Sequence, residues 1–169
     1  MASSEALIAV AIADLCIDQG WKRVGVVWEG AEPWSIESAA FFREAFSARG
    51  GNIIEAPSQS KMLDRSQCMA ADGSAARSAA LAAVRSIIDS FVTAGVRVLF
   101  LPIHPSCNRI LFSTIKRTGQ LSGEGHAYLL NWVSESILYE NDGSLDLDAF
   151  DGARGAIGVM ESQGDGDIQ

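Results

Sequence analysis

The chain has 169 residues, 48% hydrophobic and 20% charged, with a formal net charge of −8. That is the balance of one globular domain long enough to bury a core. The only adjacent basic residues are the isolated pairs Lys22-Arg23 and Lys116-Arg117, which excludes the basic face a nucleic-acid binder needs. No run of 18 apolar residues occurs, so no membrane-spanning helix or membrane contact is expected.

Residues 4–18 read as a helix, with Leu7, Val10, Ala11 and Leu15 on one face and Gly20 as its left-handed stop. The segment is apolar but lacks the basic lead of a signal peptide, and Glu5 stands where positive charge belongs. Residues 24–28 form a strand that is apolar without alternation, as in sheets buried on both faces. It ends at once in "WEGAEPW", a loop with Glu29, Glu32, Trp28 and Trp34. Pro33 and Ser35 open the next helix, which carries Ala39, Phe42 and Phe46 to Gly50-Gly51.

A second strand is expected at 52–56. Residues 57–75 are rich in Ser, Asp and Gly and read as a surface loop. A helix over 76–94 shows Leu81, Val84, Ile88 and Phe91 at helical spacing, and Gly95 ends it. The most apolar strand follows at 96–103. Pro105 then suits the first turn of a helix that carries Cys107, Leu111 and Ile115 to Gly119. Residues 126–132 make a fourth strand, 133–154 show weak short-helix character, 155–159 make a fifth strand, and the polar tail 161–169 reads as disordered.

Alternating strands and helices predict a three-layer α/β domain over residues 1–160. Its doubly wound, flavodoxin-like sheet has five parallel strands in the order 2-1-3-4-5, starting near 24, 52, 96, 126 and 155. The expected core includes Val26, Val27, Ile53, Leu99, Phe100, Leu101 and Leu129.

Ligands of such sheets bind beyond the carboxyl ends of the strands. The loop after the first strand has neither the glycine pattern of a dinucleotide site nor a P-loop. Its two glutamates would repel the phosphate of a flavin. The third strand ends in "LPIHP", without the acceptor aspartate of a response-regulator receiver. No cofactor is therefore expected. Three cysteines, Cys16, Cys68 and Cys107, show no metal spacing. They are read as three idle thiols, with one disulfide plus a free thiol as the alternative, and they leave the compartment open. One nucleophilic couple stays open: Cys107, near a helix N-terminus, with His104 three residues before it. Glu29 and Glu32 are candidates for acid/base work, although solvated loop acids are commoner.

The stretch from "ALIAVAIADLCIDQGWKRVGVVWEGAEPW" to "ARGGNIIEA", with "AGVRVLFLPIHP" and "FDGARGAIGV" later, resembles the second lobe of the type I periplasmic-binding-protein fold. That fold forms the extracellular ligand-binding region of metabotropic glutamate, GABA-B and natriuretic-peptide type receptors, and of bacterial branched-chain amino-acid binding proteins. The resemblance covers residues 4–160. It implies a non-enzymatic, ligand-sensing lobe that shares a cleft with a second lobe, outside the cytoplasm, with an amino-acid-like small molecule as ligand and homodimerisation as an open arrangement. The other lobe is absent, so the chain is either a piece or is completed by a partner.

The resemblance places Trp34 where amino-acid receptors of the family stack an aromatic ring on the ligand. After the fourth strand those receptors carry an aspartate for the ligand's ammonium group, whereas this chain reads "LLNWVSES". The expected lip comprises Glu29, Gly30, Trp34, His104, Ser106, Asn131 and Trp132, with no catalytic or metal-binding residue among them. A small thiol enzyme centred on Cys107 and His104, and an interaction domain that has lost ligand binding, remain the alternatives.

Overall fold

The computed structural model describes residues 4–56, 63–140 and 142–159. The elements run α1 (Ser4–Asp18), β1 (Arg23–Val26), α2 (Pro33–Ala48), β2 (Asn52–Glu55), α3 (Arg65–Cys68), α4 (Ala75–Thr93), β3 (Val98–Leu101), α5 (Pro105–Thr118), β4 (Ala127–Leu130), a 3₁₀ turn (Glu135–Ile137), α6 (Leu147–Gly152) and β5 (Ala156–Gly158). The five strands form one parallel sheet in the order β2-β1-β3-β4-β5. The disorder expected of residues 161–169, and part of the loop expected at 57–75, lie outside the described residues.

The period of two along each strand divides the core. Val24, Val26, Val98, Phe100 and Leu129 point to one face, where α1 and α2 supply Ile12, Phe42 and Phe46. Leu99, Leu101, Tyr128 and Leu130 point to the other, against Ile88 and Phe91 of α4 and Leu111 and Phe112 of α5. Apolar side chains on both faces explain why the strands read as continuous hydrophobic runs. Of the expected core, Ile53 is only half-buried, because β2 is an edge strand.

One device turns three helices into strands. After α1, α2 and α4 a glycine at positive φ (Gly20, Gly50 and Gly95) donates to the carbonyl three residues back. The next residue donates five residues back, as Trp21 does to Cys16, Gly51 to Phe46 and Val96 to Phe91. This is the Schellman closure. It draws Val96 into the end of α4, so β3 starts at Val98 and not at 96. Gly25 has a different role. A Cβ there would lie 2.6 Å from Leu99 and 2.9 Å from Phe91, so its absence lets α4 seat on β1.

Helix α1 lies otherwise than its large residues suggested. Its buried residues are Ala6, Ala9, Ile12, Ala13 and Cys16, while Leu7 is 58% exposed. The helix is apolar nearly all round, so periodicity does not choose a face. The alanine stripe faces inward because small side chains permit close packing.

The loop expected at 57–75 contains a short helix. Asp64 accepts from the Ser66 amide at 2.7 Å and caps α3, whose Cys68 is buried. Helix α5 is buried on more than one side, from Pro105 to Ile115 apart from half-buried Ser106. Helix α6 covers its outer face at such close range that a Cβ on Gly152 would lie 2.0 Å from the Phe112 carbonyl oxygen.

Candidate functional site: an aromatic lip at the carboxyl edge

Strands β1, β3 and β4 all deliver their following loops to one edge of the sheet. At the end of β1 the Val27 amide still donates to Phe100, after which Trp28 and Glu29 leave the ladder. The Glu29 amide donates to Ser35 Oγ at 2.8 Å, and the Ser35 hydroxyl donates to the Pro102 carbonyl. The start of α2 is thereby pinned to the end of β3. His104 caps α5: its Nδ1 accepts from the Ser106 amide at 3.2 Å, and Pro105 fills the first helical position.

Three rings meet there. Trp34 and Trp132 stand edge to face with centroids 5.5 Å apart, and His104 stands edge to face with Trp132 at 5.3 Å. Such perpendicular pairs suit the aromatic quadrupole. Trp132 is 41% exposed, and Trp34 and His104 are half-buried. Asn131 lies beside them and donates from Nδ2 to Ser38 Oγ at 3.1 Å, while its Oδ1 finds no partner among the described residues. Burial and the charge of Arg65 hold the His104 imidazole below its ordinary pKa, which favours the neutral ring.

The two indoles of the first loop part company. Trp34 joins the lip, whereas Trp28 packs on the α1–α2 side of the core with the Arg43 guanidinium 4.2 Å over its ring. The two carboxylates part as well. Glu32 is half-buried at the start of α2 and makes no side-chain cap. Glu29 has no exposed surface and lies behind the lip, where its Oε2 accepts from the His104 amide at 3.2 Å. Burial pushes its pKa up to about 7. Gly30 and Ser106 are half-buried beside these groups.

Cys107 is not a thiol in this structure. It is joined to Cys68 in a disulfide, while Cys16 is buried and free. The thiolate–imidazole couple of Cys107 and His104 is therefore corrected: the sulfur is tied to α3, has no exposed surface and has no proton to exchange with the ring. The disulfide reading, and not three idle thiols, is the one the fold adopts. The spacing of 39 residues gave no sign of it, because the contact depends on how α3 packs.

A second polar cluster was not legible in the sequence. Arg109, 1% exposed on α5, pairs with Glu140 and stands 3.9 Å from Asp146. Asp146 accepts from Ser113 Oγ at 2.7 Å and from the Ala149 amide at 2.9 Å, so it also caps α6. Arg77 reaches the Cys68 carbonyl and Asp72. A small cavity of about 110 Å³ lies between these groups. The largest groove, about 780 Å³, runs along α4 beside β2 and is lined chiefly by small and charged side chains, Ser86, Asp89 and Ser90 among them. The lip is distinguished by its aromatic chemistry and not by volume.

No known family profile matches the chain, and no curated protein matches it. Solved structures do. A crystal structure described as a branched-chain amino acid ABC transporter from Rhodospirillum rubrum superposes with a TM-score of 0.58 at 16% identity. The match covers 92% of this chain and 36% of that one. At that identity the likeness is one of fold: this chain has the architecture of a type I periplasmic-binding-protein lobe and spans about a third of the longer protein.

Proposed function

We propose that the chain is one lobe of a two-lobe ligand-binding module, and that Trp34, Trp132 and His104 form its share of the cleft wall. The observation that carries this reading is the run of perpendicular rings at the carboxyl edge, where sheets of this topology take their ligands. The longer fold neighbour, described by the transport of branched-chain amino acids, supports a small amino-acid-like ligand and a second lobe. Closure of two lobes on that ligand would shift an open–closed equilibrium, the physical basis of a receptor or transport role. The Cys68–Cys107 disulfide fits an oxidising compartment, extracellular or periplasmic. No described helix is long and apolar enough to cross a membrane. Asn131 stands where an aspartate would meet an ammonium group, so Oδ1 offers a neutral acceptor and a weaker hold on an α-amino group.

A wall on one side cannot bury most of a small ligand. The isolated chain is expected to bind branched-chain amino acids no tighter than about millimolar, worth about −4 kcal/mol. A two-lobe protein containing it binds more tightly. Calorimetric titration of both proteins with leucine, isoleucine and valine, and with their amides, tests this. Tight binding by the single chain would contradict the shared cleft. Absence of binding by both would favour an interaction domain that has lost its ligand.

A further inference from the structure

The Glu29 side chain is sealed from solvent and enters no ion pair among the described residues. Oε2 takes the His104 amide proton at 3.2 Å. Oε1 lies 2.9 Å from Cys107 Sγ, a hydrogen-bonding distance for an O···S pair. In the disulfide that sulfur carries no hydrogen and can only accept. An ionised carboxylate also only accepts, so two acceptors would face each other in a dry site. The contact becomes favourable when the proton sits on Glu29 Oε1 and is donated to Sγ.

We propose that Glu29 is a neutral acid whose Oε1 proton is given to Cys107 Sγ, forming a lock that positions His104 and, through it, the aromatic lip. The route is short. Glu29 holds the His104 backbone, His104 caps α5 and packs on Trp132, and Trp132 packs on Trp34. When the proton leaves, a buried carboxylate faces the disulfide sulfur and the lip loosens. Reduction changes the state of the lock, because the freed Cys107 thiol can donate to the carboxylate and stabilise its charged form.

The surroundings agree with a proton-holding site. Burial favours the neutral acid, and Glu32, in the loop before α2, and Asp64, before α3, add to that effect; Arg65 of α3 and the His104 amide oppose it more weakly, leaving a pKa of about 7. From α2 the nearest group is the Ser35 hydroxyl, which is occupied by the Glu29 amide and the Pro102 carbonyl. The lock does not depend on the proposed ligand-binding role. Glu29 is a positioning residue and touches no ligand in this account.

The test is an NMR titration of the oxidised chain carrying glutamate labelled at the side-chain carboxyl carbon. The Glu29 signal is assigned by its loss in Glu29→Gln. The expected midpoint lies near pH 7, and it falls by about one unit, a tenfold change in proton affinity, in the reduced chain or in Cys68→Ser. A midpoint near 4.5 in the oxidised chain overturns the proposal, as does a midpoint indifferent to reduction in a reduced chain that stays folded. Where reduction unfolds the chain, Glu29→Gln decides. Its amide donates to Sγ and accepts from His104 without titrating, so the variant is expected to outlast the wild type in urea at pH 8 and to show the same His104 and Trp132 resonances at pH 6 and pH 8. A wild type more stable than Glu29→Gln at pH 8 contradicts the lock.

Discussion

Helix α5 serves two polar regions, and they solve the burial of charge in opposite ways. At its N-terminus Glu29 is sealed beside Cys107 with no ion pair among the described residues, and its pKa is raised to about 7. Half a dozen residues along, Arg109 is 1% exposed and keeps its charge by pairing with Glu140 and approaching Asp146. A carboxyl group can discard its charge by taking up a proton near neutral pH, while a guanidinium cannot. The Glu29 end of α5 is therefore responsive to pH, and the Arg109 end is a fixed clamp. The responsive end adjoins the lip. The fixed end holds the irregular segment with α6 against the body of the domain.

The largest expected effect separates the two ends. Arg109→Met leaves Asp146 and Glu140 facing a dry interior, and should cost about 3–5 kcal/mol in urea unfolding, as broken buried pairs do. A cost below about 1 kcal/mol would show that the clamp is decorative. Opening the Cys68–Cys107 bridge comes next. It closes a loop of 39 residues, and its removal in Cys68→Ser/Cys107→Ser should cost about 2–4 kcal/mol. The loss should appear as freer exchange of amides in α3 and early α5, and not in α6.

Acidity gives a smaller and signed effect. The Glu29 pKa is raised from 4.5 to about 7 on folding, so the folded chain binds a proton more tightly than the unfolded one. The stabilisation is complete below pH 4.5, declines as pH rises, and is gone above about pH 7, a loss of about 2–3 kcal/mol. Unfolding midpoints across this window should fall for the wild type and lose that decline in Glu29→Gln. An equal decline in both would assign the titration to another group. The smallest effect belongs to the lip: Trp132→Ala should cost about 0.5–1.5 kcal/mol beyond lost burial, because two perpendicular ring contacts go with it. It should leave the Arg109 clamp undisturbed.

These two regions also mark how far the sequence could be read. Strand order and all five strands followed from apolar runs between glycine stops, since a sheet buried on both faces leaves that signature in composition. The meeting of Trp34, His104 and Trp132 followed from topology, because each stands just past the end of a strand. The depth of Glu29 did not follow. A glutamate in a loop with glycine and proline reads as solvated, and only the Ser35–Pro102 link and the seating of Cys68 show that the loop folds inward. The Arg109 clamp was hidden for a similar reason: its partners come from residues 140 and 146, in a segment without periodicity. The face of α1 was misjudged because size was taken as the guide to burial in a helix that offers apolar residues on every side.

The most direct test of the account uses the chain's four tryptophans. Trp34 and Trp132 belong to the lip, while Trp21 and Trp28 pack at the α1–α2 core. Indole N–H resonances, followed by NMR as leucine is titrated to tens of millimolar, sort these sites. The account predicts saturable shifts at Trp34 and Trp132 with a midpoint in the range of about a millimolar or weaker, and little change at Trp21, Trp28 or the Arg109 side chain. Saturable shifts confined to Trp21, Trp28 or Arg109, with the lip silent, would contradict the assignment of the carboxyl edge as the ligand wall.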